Sequence, residues 1–414
     1  MEKPPPPRFF FFFNKRSEIV SCIFSVILLL SFLIVLHWFT PFQPLLLLRI
    51  AGRTYDKPPP DADAACDYTS GQWVWDGIHR AEAYAEDCPF LDPGFRCRQN
   101  GRSDSGYLYW RWQPRGCNLP KFNASKLLER SRNGKIVFVG DSIGRNQWES
   151  LVCMLAKAVH NQSSIYEKYG NPITKHRGFL SIVFHEHNLT VEYYRAPFLA
   201  AVSRPPPSAP SGVRSAIHLD ELNWQSKHWV DADVLVLNAG HWWNQKKTIG
   251  SGMHFQVGGE INMTMDVKEA FRRTIDTVKL WSLNKLQKGS IFFRNHSPIH
   301  FSNGTWDEGG TCSAFTEPER SYSALRPAEP WNNWIIADAV EGMKSGGKKA
   351  RLLNITGLTE FRRDGHPSKH REPGTPPDAP QDCSHWCLPG VPDTWNQLLY
   401  AHLLSMDYDT SKNV

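Results

Sequence analysis

The sequence contains no P-loop and no G-x-G-x-x-G after an apolar strand, so it carries no signature for holding a nucleotide. Zinc-finger spacing is absent, as is any block of basic residues interleaved with aromatics, and this argues against nucleic-acid binding. Cys383-x-x-x-Cys387 is the nearest thing to a zinc-binding pair, and no second pair of cysteines or histidines completes a site. No metal is called for. There are no internal repeats, which excludes solenoids and propellers. The net charge of +6 over 414 residues is mild. It suits an acidic partner such as a uronic-acid polymer, and equally an ordinary basic protein.

What is abundant is aromatic. Phe, Trp and Tyr make up 12% of the chain, with 16 tryptophans. Their apolar faces and polar edges suit cores, and they also suit stacking against sugars. Hydrophobic residues at 41% and charged residues at 21% are ordinary for a globular core. Of nine cysteines, Cys22 lies in an apolar N-terminal run; the other eight are spread from Cys66 to Cys387. An even number outside the cytosol reads as disulfides.

Residues 19–39 (IVSCIFSVILLLSFLIVLHWF) contain no Asp, Glu, Lys or Arg, and that length spans a hydrocarbon core of ~30 Å. Lys3, Arg8, Lys15 and Arg16 precede it and predict a cytoplasmic N-terminus. A cleaved signal peptide has a shorter apolar core and a small-residue cleavage site, neither of which stands out here. The expected order is a cytoplasmic tail (1–18), a transmembrane signal anchor (19–39), a Pro-rich stem (40–64) and a lumenal catalytic domain (65–410). Asn123, Asn161, Asn188, Asn262, Asn303 and Asn354 each begin an N-x-Ser/Thr triplet, and so does Asn295, with Pro298 close behind. Such triplets fit the secretory pathway.

From residue 135 on, strands alternate with helices. KIVFVG (135–140), DVLVLN (233–238), SIFFRN (290–295) and ARLLNI (350–355) read as buried strands. Residues 179–195 read as two strands with a turn near His187-Asn188. Trp148, Leu151, Val152, Leu155 and Val159 fall at helical spacing, and residues 266–287 and 393–404 also read as helices. The pattern predicts an α/β fold with a parallel sheet covered by helices on both faces. The Cys-rich stretch 65–120 lacks this rhythm and is expected to form a smaller, disulfide-held lobe. Pro-rich loops interrupt the pattern at 204–211 and 372–380.

Three motifs could carry chemistry. Gly140-Asp141-Ser142 ends a strand and opens a helix, which sets the Ser142 hydroxyl at the carboxyl edge of the sheet and at a helix N-terminus. The tripeptide alone fits a helix cap better than a nucleophile. Asp382-Cys383-Ser384-His385 offers a histidine base and a carboxylate to orient it. An unrelated Asp and His is the commoner situation, but Cys383 and Cys387 could pin the loop as a base requires. Asn238-Ala239-Gly240-His241-Trp242 follows a strand, and Asn238 could either donate to an oxyanion or cap the turn.

Taken in order, Gly140-Asp141-Ser142 with Arg145-Asn146, then NAGHWW, then Asp382-x-x-His385, resemble the plant trichome-birefringence-like family. Cys66-Asp67-Tyr68-x-x-Gly71-x-Trp73-Val74 and RWQPRGCNLP (111–120) extend the resemblance across nearly all of the chain from residue 65 on. The resemblance implies a Golgi polysaccharide O-acetyltransferase related to GDSL/SGNH esterases. Ser142 would be its nucleophile, His385 the base and Asp382 its orienter, with Arg145, Asn238 and Gly140 near the oxyanion. It also implies the pairs Cys66–Cys117, Cys88–Cys153, Cys97–Cys387 and Cys312–Cys383. No bound cofactor is expected. The co-substrate would be acetyl-CoA or a donor derived from it, and the acceptor a wall polysaccharide such as xylan or pectin. A Golgi acetyl-donor transporter or glycosyltransferase complex would be a further partner. A polysaccharide acetylesterase and a non-catalytic pectin-binding bridging protein are the alternatives.

Overall fold

The computed structural model describes residues 66–77, 84–320 and 329–412. The expected tail, anchor and stem all lie outside them. Among the described residues no helix is long and apolar enough to cross a membrane. Cys66–Val414 forms one compact unit.

In chain order the first elements are β1 (Gly71–Trp75), β2 (Trp110–Pro114), α1 (Ala124–Arg130), β3 (Lys135–Gly140) and α2 (Ser142–Ala156). Then come β4 (Ile165–Glu167), β5 (Phe179–Phe184), β6 (Leu189–Arg195), β7 (Ala200–Ser203), β8 (Ser215–Leu222) and β9 (Val234–Asn238). They are followed by β10 (Met253–Val257), β11 (Glu260–Asn262), α3 (Val267–Lys285) and β12 (Ser290–Arg294). The last are α4 (Trp331–Ser345), β13 (Lys349–Leu353), α5 (Thr356–Glu360) and α6 (Val391–Ser405).

The main sheet has seven strands in the order β13-β12-β9-β3-β6-β5-β4. From β13 to β6 every neighbour is parallel, but β5 and β4 run antiparallel at one edge. The sheet is therefore mixed and not wholly parallel. The cause is local: β5 and β6 are joined by one turn at 185–187 and by Asn188 in the left-handed conformation, φ 47°. So short a link cannot make the crossover that parallel neighbours need.

β3 lies mid-sheet, and its side chains alternate between two cores. Ile136 and Phe138 join Trp148 and Leu151 of α2 and Leu399 of α6. Val137 and Val139 join Phe271 and Ile275 of α3 and Ile336 of α4 on the other face. Burial on both faces is why the strand reads as an unbroken apolar run.

α2 differs from the helix suggested by the spacing of Trp148, Leu151, Val152, Leu155 and Val159. It ends at Ala156, leaving Val159 buried beyond it, and every residue but Ser142 and Met154 is buried. Its polar face meets partners inside the protein: Gln147 pairs with Asn396, and Ser150 with Asp393. A second, four-stranded sheet, β11-β10-β8-β7, was not foreseen. The Pro-rich stretch 204–211 is the loop between its strands β7 and β8.

The Cys-rich segment holds one antiparallel pair, β1 with β2. Four disulfides join the pairs that the family resemblance implied. Cys66–Cys117 closes this segment, Cys88–Cys153 ties it to α2, and Cys97–Cys387 ties it to a loop 290 residues away. Cys383 and Cys387 belong to different bridges, so they are not a zinc pair.

Candidate active site

Ser142 is the first residue of α2, at the carboxyl end of β3. Asp141 caps the helix, its Oδ1 accepting from the Ile143 amide at 2.9 Å and from Gly144 at 3.4 Å. Asn238, at the end of neighbouring β9, donates its Nδ2 to the same oxygen at 2.7 Å. This needs two glycines. A Cβ on Gly140 would lie 2.1 Å from the Asn238 Oδ1, and one on Gly144 only 1.9 Å from it.

The second motif arrives from 243 residues further along. His385 Nε2 is 2.8 Å from Ser142 Oγ, and its Nδ1 is 2.8 Å from Asp382 Oδ2. The other carboxylate oxygen of Asp382 accepts from the amides of Ser384 and His385 at 3.2 and 3.0 Å. The network assigns the Nδ1–H tautomer, leaving Nε2 free to take the hydroxyl proton. Burial disfavours the charged imidazolium, but the charge and hydrogen bond of Asp382, with help from Asp141, outweigh it and raise the His385 pKa. Burial pulls Asp382 the other way, yet His385 holds its carboxyl well below the usual carboxylate range.

The loop that carries His385 is gripped on several sides. Asn146, one helical turn past Ser142, accepts from the Trp386 N–H at 2.8 Å and donates to the Trp386 carbonyl at 3.1 Å. His366 Nδ1 donates to the His385 carbonyl at 2.6 Å, while its Nε2 meets His300 Nδ1 at 2.8 Å. Burial pushes His366 and His300 down to about 3, so both stay neutral and keep this pattern across physiological pH. Cys312–Cys383 and Cys97–Cys387 fix the loop covalently on either side of the base.

Two expected residues have other partners. Arg145 is buried and faces Glu149, with Nε 2.6 Å from Oε1, and also donates to the Thr174 carbonyl. Glu149, one turn on at i+4, supplies the carboxylate that this buried guanidinium faces. Asn238 is only 3% exposed, and its amide braces Asp141 from beneath. Neither lines the cavity over Ser142. Ser142 and Gly240 do line it, and neither backbone N–H has an acceptor among the described residues.

That cavity, of about 580 Å³, is open to solvent and rich in aromatics. His241, Trp242, Trp306 and Trp331 line it beside the Ser142–His385 pair, with Lys247 and Arg371 as its cations. NAGHWW marked His241 and Trp242 in advance. Trp306, Trp331 and Asn332 carried no local signal, because a distant loop brings in the first and the start of α4 the other two.

The acid limb of kcat/KM is predicted to lie above the ordinary imidazole value of ~6.5, since only neutral His385 can accept the proton. Asp382→Asn removes the charge that raises this pKa. The limb should then move to lower pH while kcat falls ~10⁴-fold, as pH–rate profiles of both proteins on a small acetyl ester would register. Asn146→Ala leaves the buried Trp386 amide and carbonyl unpaired and lets the base drift. It should lower kcat ~10²-fold with little change in KM for the same ester, measured beside the thermal midpoint.

Residues 119–402 match the family described as "GDSL/SGNH-like Acyl-Esterase family found in Pmr5 and Cas1p", and residues 64–118 match the "PMR5 N terminal Domain". The chain is 57% identical to Protein trichome birefringence-like 9 of Arabidopsis thaliana over 352 residues, covering 83% of this chain and 85% of that protein. It is 40% identical to Protein trichome birefringence-like 6 of the same plant over 358 residues, covering 84% and 73%. With an α/β fold, a serine at the mouth of the central sheet and these matches along most of its length, the chain belongs to the trichome birefringence-like family of GDSL/SGNH-like acyl-esterases.

Proposed function

We propose that this protein is an O-acetyltransferase that moves acetyl groups onto hydroxyls of a plant cell-wall polysaccharide through an acetyl-serine intermediate. The observation that carries the proposal is the unbroken relay from Ser142 Oγ through His385 to Asp382, 2.8 Å at each step, on the wall of an open aromatic cavity.

In the first half, Ser142 Oγ attacks the acetyl carbonyl of the donor and its proton passes to His385 Nε2. Asp382 stabilises the imidazolium. The oxyanion is received by the Ser142 and Gly240 N–H groups, aided by the positive end of α2. The leaving group takes the proton from His385 as the tetrahedral centre collapses, and acetyl-Ser142 remains. In the second half, a sugar hydroxyl gives its proton to His385 and attacks the ester, which restores Ser142 and releases the acetylated polymer.

The donor in this proposal is acetyl-CoA or a compound made from it, and no cofactor is held. The setting proposed is the Golgi membrane, with residues 19–39 as a type II anchor and the catalytic unit in the lumen. An acetyl-donor transporter or glycosyltransferase complex would then lie alongside. Asn123, Asn161, Asn188, Asn262 and Asn303 are exposed, so glycans could be carried there, whereas Asn295 is buried.

An esterase would use the same relay and give the acetyl group to water. What favours transfer is the aromatic lining beside Ser142, which offers apolar faces on which an acceptor sugar chain can stack. The full chain, incubated with an acetyl donor and wall oligosaccharides, should yield acetylated oligosaccharide. Ser142→Ala should lose at least ~10³-fold, and an acetyl-sized mass increment should appear on the Ser142 peptide of the wild type. Free acetate without an acetylated oligosaccharide would make the protein an esterase. Oligosaccharide binding with no chemistry at all would make it a binding protein.

A further inference from the structure

Two adjacent lysines at the cavity have different surroundings. Lys246 is committed: its Nζ lies 2.8 and 3.0 Å from the two oxygens of Asp307 and 3.6 Å from Glu308. This ion pair fastens the 303–308 loop, which carries Trp306. Lys247 lines the cavity with Ser142 and has no carboxylate within ion-pair distance among the described residues. Among the described residues its Nζ reaches only the His241 carbonyl, at 3.4 Å. It lies 5.1 Å from the Trp242 ring centroid and 5.8 Å from that of Trp306, a cation between two indoles.

The lysine is also held in place. Its amide donates to Asn244 Oδ1 at 2.9 Å, and Asn244 Nδ2 donates to the same His241 carbonyl at 3.1 Å. The Thr248 hydroxyl closes on the Asn244 carbonyl at 2.7 Å. Burial works against the ammonium and lowers its pKa, with distant Asp141 opposing. A partly buried cation with donors to spare and no carboxylate of its own is arranged to meet an anion from outside.

Trp306 indicates which kind of anion. It is 45% exposed, an apolar plate on the cavity wall, and its loop is fixed by the Lys246–Asp307 pair. A pyranose ring stacks its C–H face on such a plate. A carboxylate on that ring would then reach the ammonium beside it. The geometry points to Lys247, with Trp306 and Trp242, as an acceptor subsite that selects a uronic-acid residue of an acidic polysaccharide. The inference rests on the acetyl-transfer reading for its role in turnover, but the subsite binds whether or not transfer occurs.

The test separates the two. Full-length Ser142→Ala protein, which cannot turn over, is titrated with oligogalacturonides and with the same oligomers after reduction of their carboxyls to neutral sugars. Lys247→Met keeps the stem and removes the charge. It should weaken binding of the acid oligomers about tenfold and flatten their salt dependence, and Lys247→Arg should recover most of the loss. Binding of the reduced oligomers should change far less. Lys246→Met loosens the Trp306 loop instead and should weaken both oligomers alike.

Equal losses for acid and reduced oligomers in Lys247→Met would overturn the subsite, as would no loss at all. So would a rise in donor KM without a change in acid-oligomer binding, which would assign the cation to a phosphate-bearing donor. If the subsite behaves as stated but protein with Ser142 intact acetylates neither oligomer, the transfer reading fails and the subsite stands.

Discussion

Ser142 and Asn146 lie one turn apart on α2, and through them a single helix governs both halves of the relay. Side chains at i and i+4 share a helix face. Ser142 presents its hydroxyl to the cavity, and Asn146 holds both main-chain groups of Trp386, the residue after the base. Two segments 243 residues apart in sequence are thereby set at 2.8 Å. The helix is buried nearly all round between β3, β6, α1 and α6, so it has little freedom to shift. Disulfides to Cys97 and Cys312 limit the loop from the opposite side.

The electrostatics follow from that packing. Asp141 is fully buried beneath the nucleophile and stays ionised against the cost of burial, through His241, the Arg294 charge and the Asn238 amide. Arg294 stacks on Trp395 at 5.0 Å with no carboxylate in ion-pair range among the described residues, and burial lowers it to about 10 while Asp141 pulls it up. The Asp141 charge also helps raise His385. His296, stacked on His241 at 4.2 Å, is held neutral by burial and adds no positive charge beside it. The helix cap therefore fixes the turn and also tunes the base.

Much of this was legible in the sequence, for reasons that can be named. β3, β9 and β12 are buried on both faces, so their apolar runs were unambiguous. Gly140-Asp141-Ser142 reported a strand, a turn and a helix within a few residues. The antiparallel edge was half legible: the turn at His187-Asn188 was visible, and a turn that tight already rules out a parallel β5–β6 pair. The second sheet escaped because β7 and β11 are short and partly exposed, so neither presents a continuous apolar run. Arg145 was misplaced because a motif names residues without saying which way they face. Its partner Glu149 sits four residues on and could have been noticed. Asn146 stood in the same motif, but its partner is 240 residues away and nothing local announced it. Lys247 and Trp306 come together only through folding, and the unequal fates of Lys246 and Lys247 are invisible in the letters K-K.

The central claim is that the fold makes Ser142 a nucleophile activated by His385. Labelling of the native full chain with a fluorophosphonate, followed by peptide mapping, tests it most directly. The account predicts one adduct, on Ser142, forming at least ~10²-fold more slowly in His385→Ala protein that retains its fold. A native chain that takes no label at Ser142, or labels equally fast without His385, would contradict it.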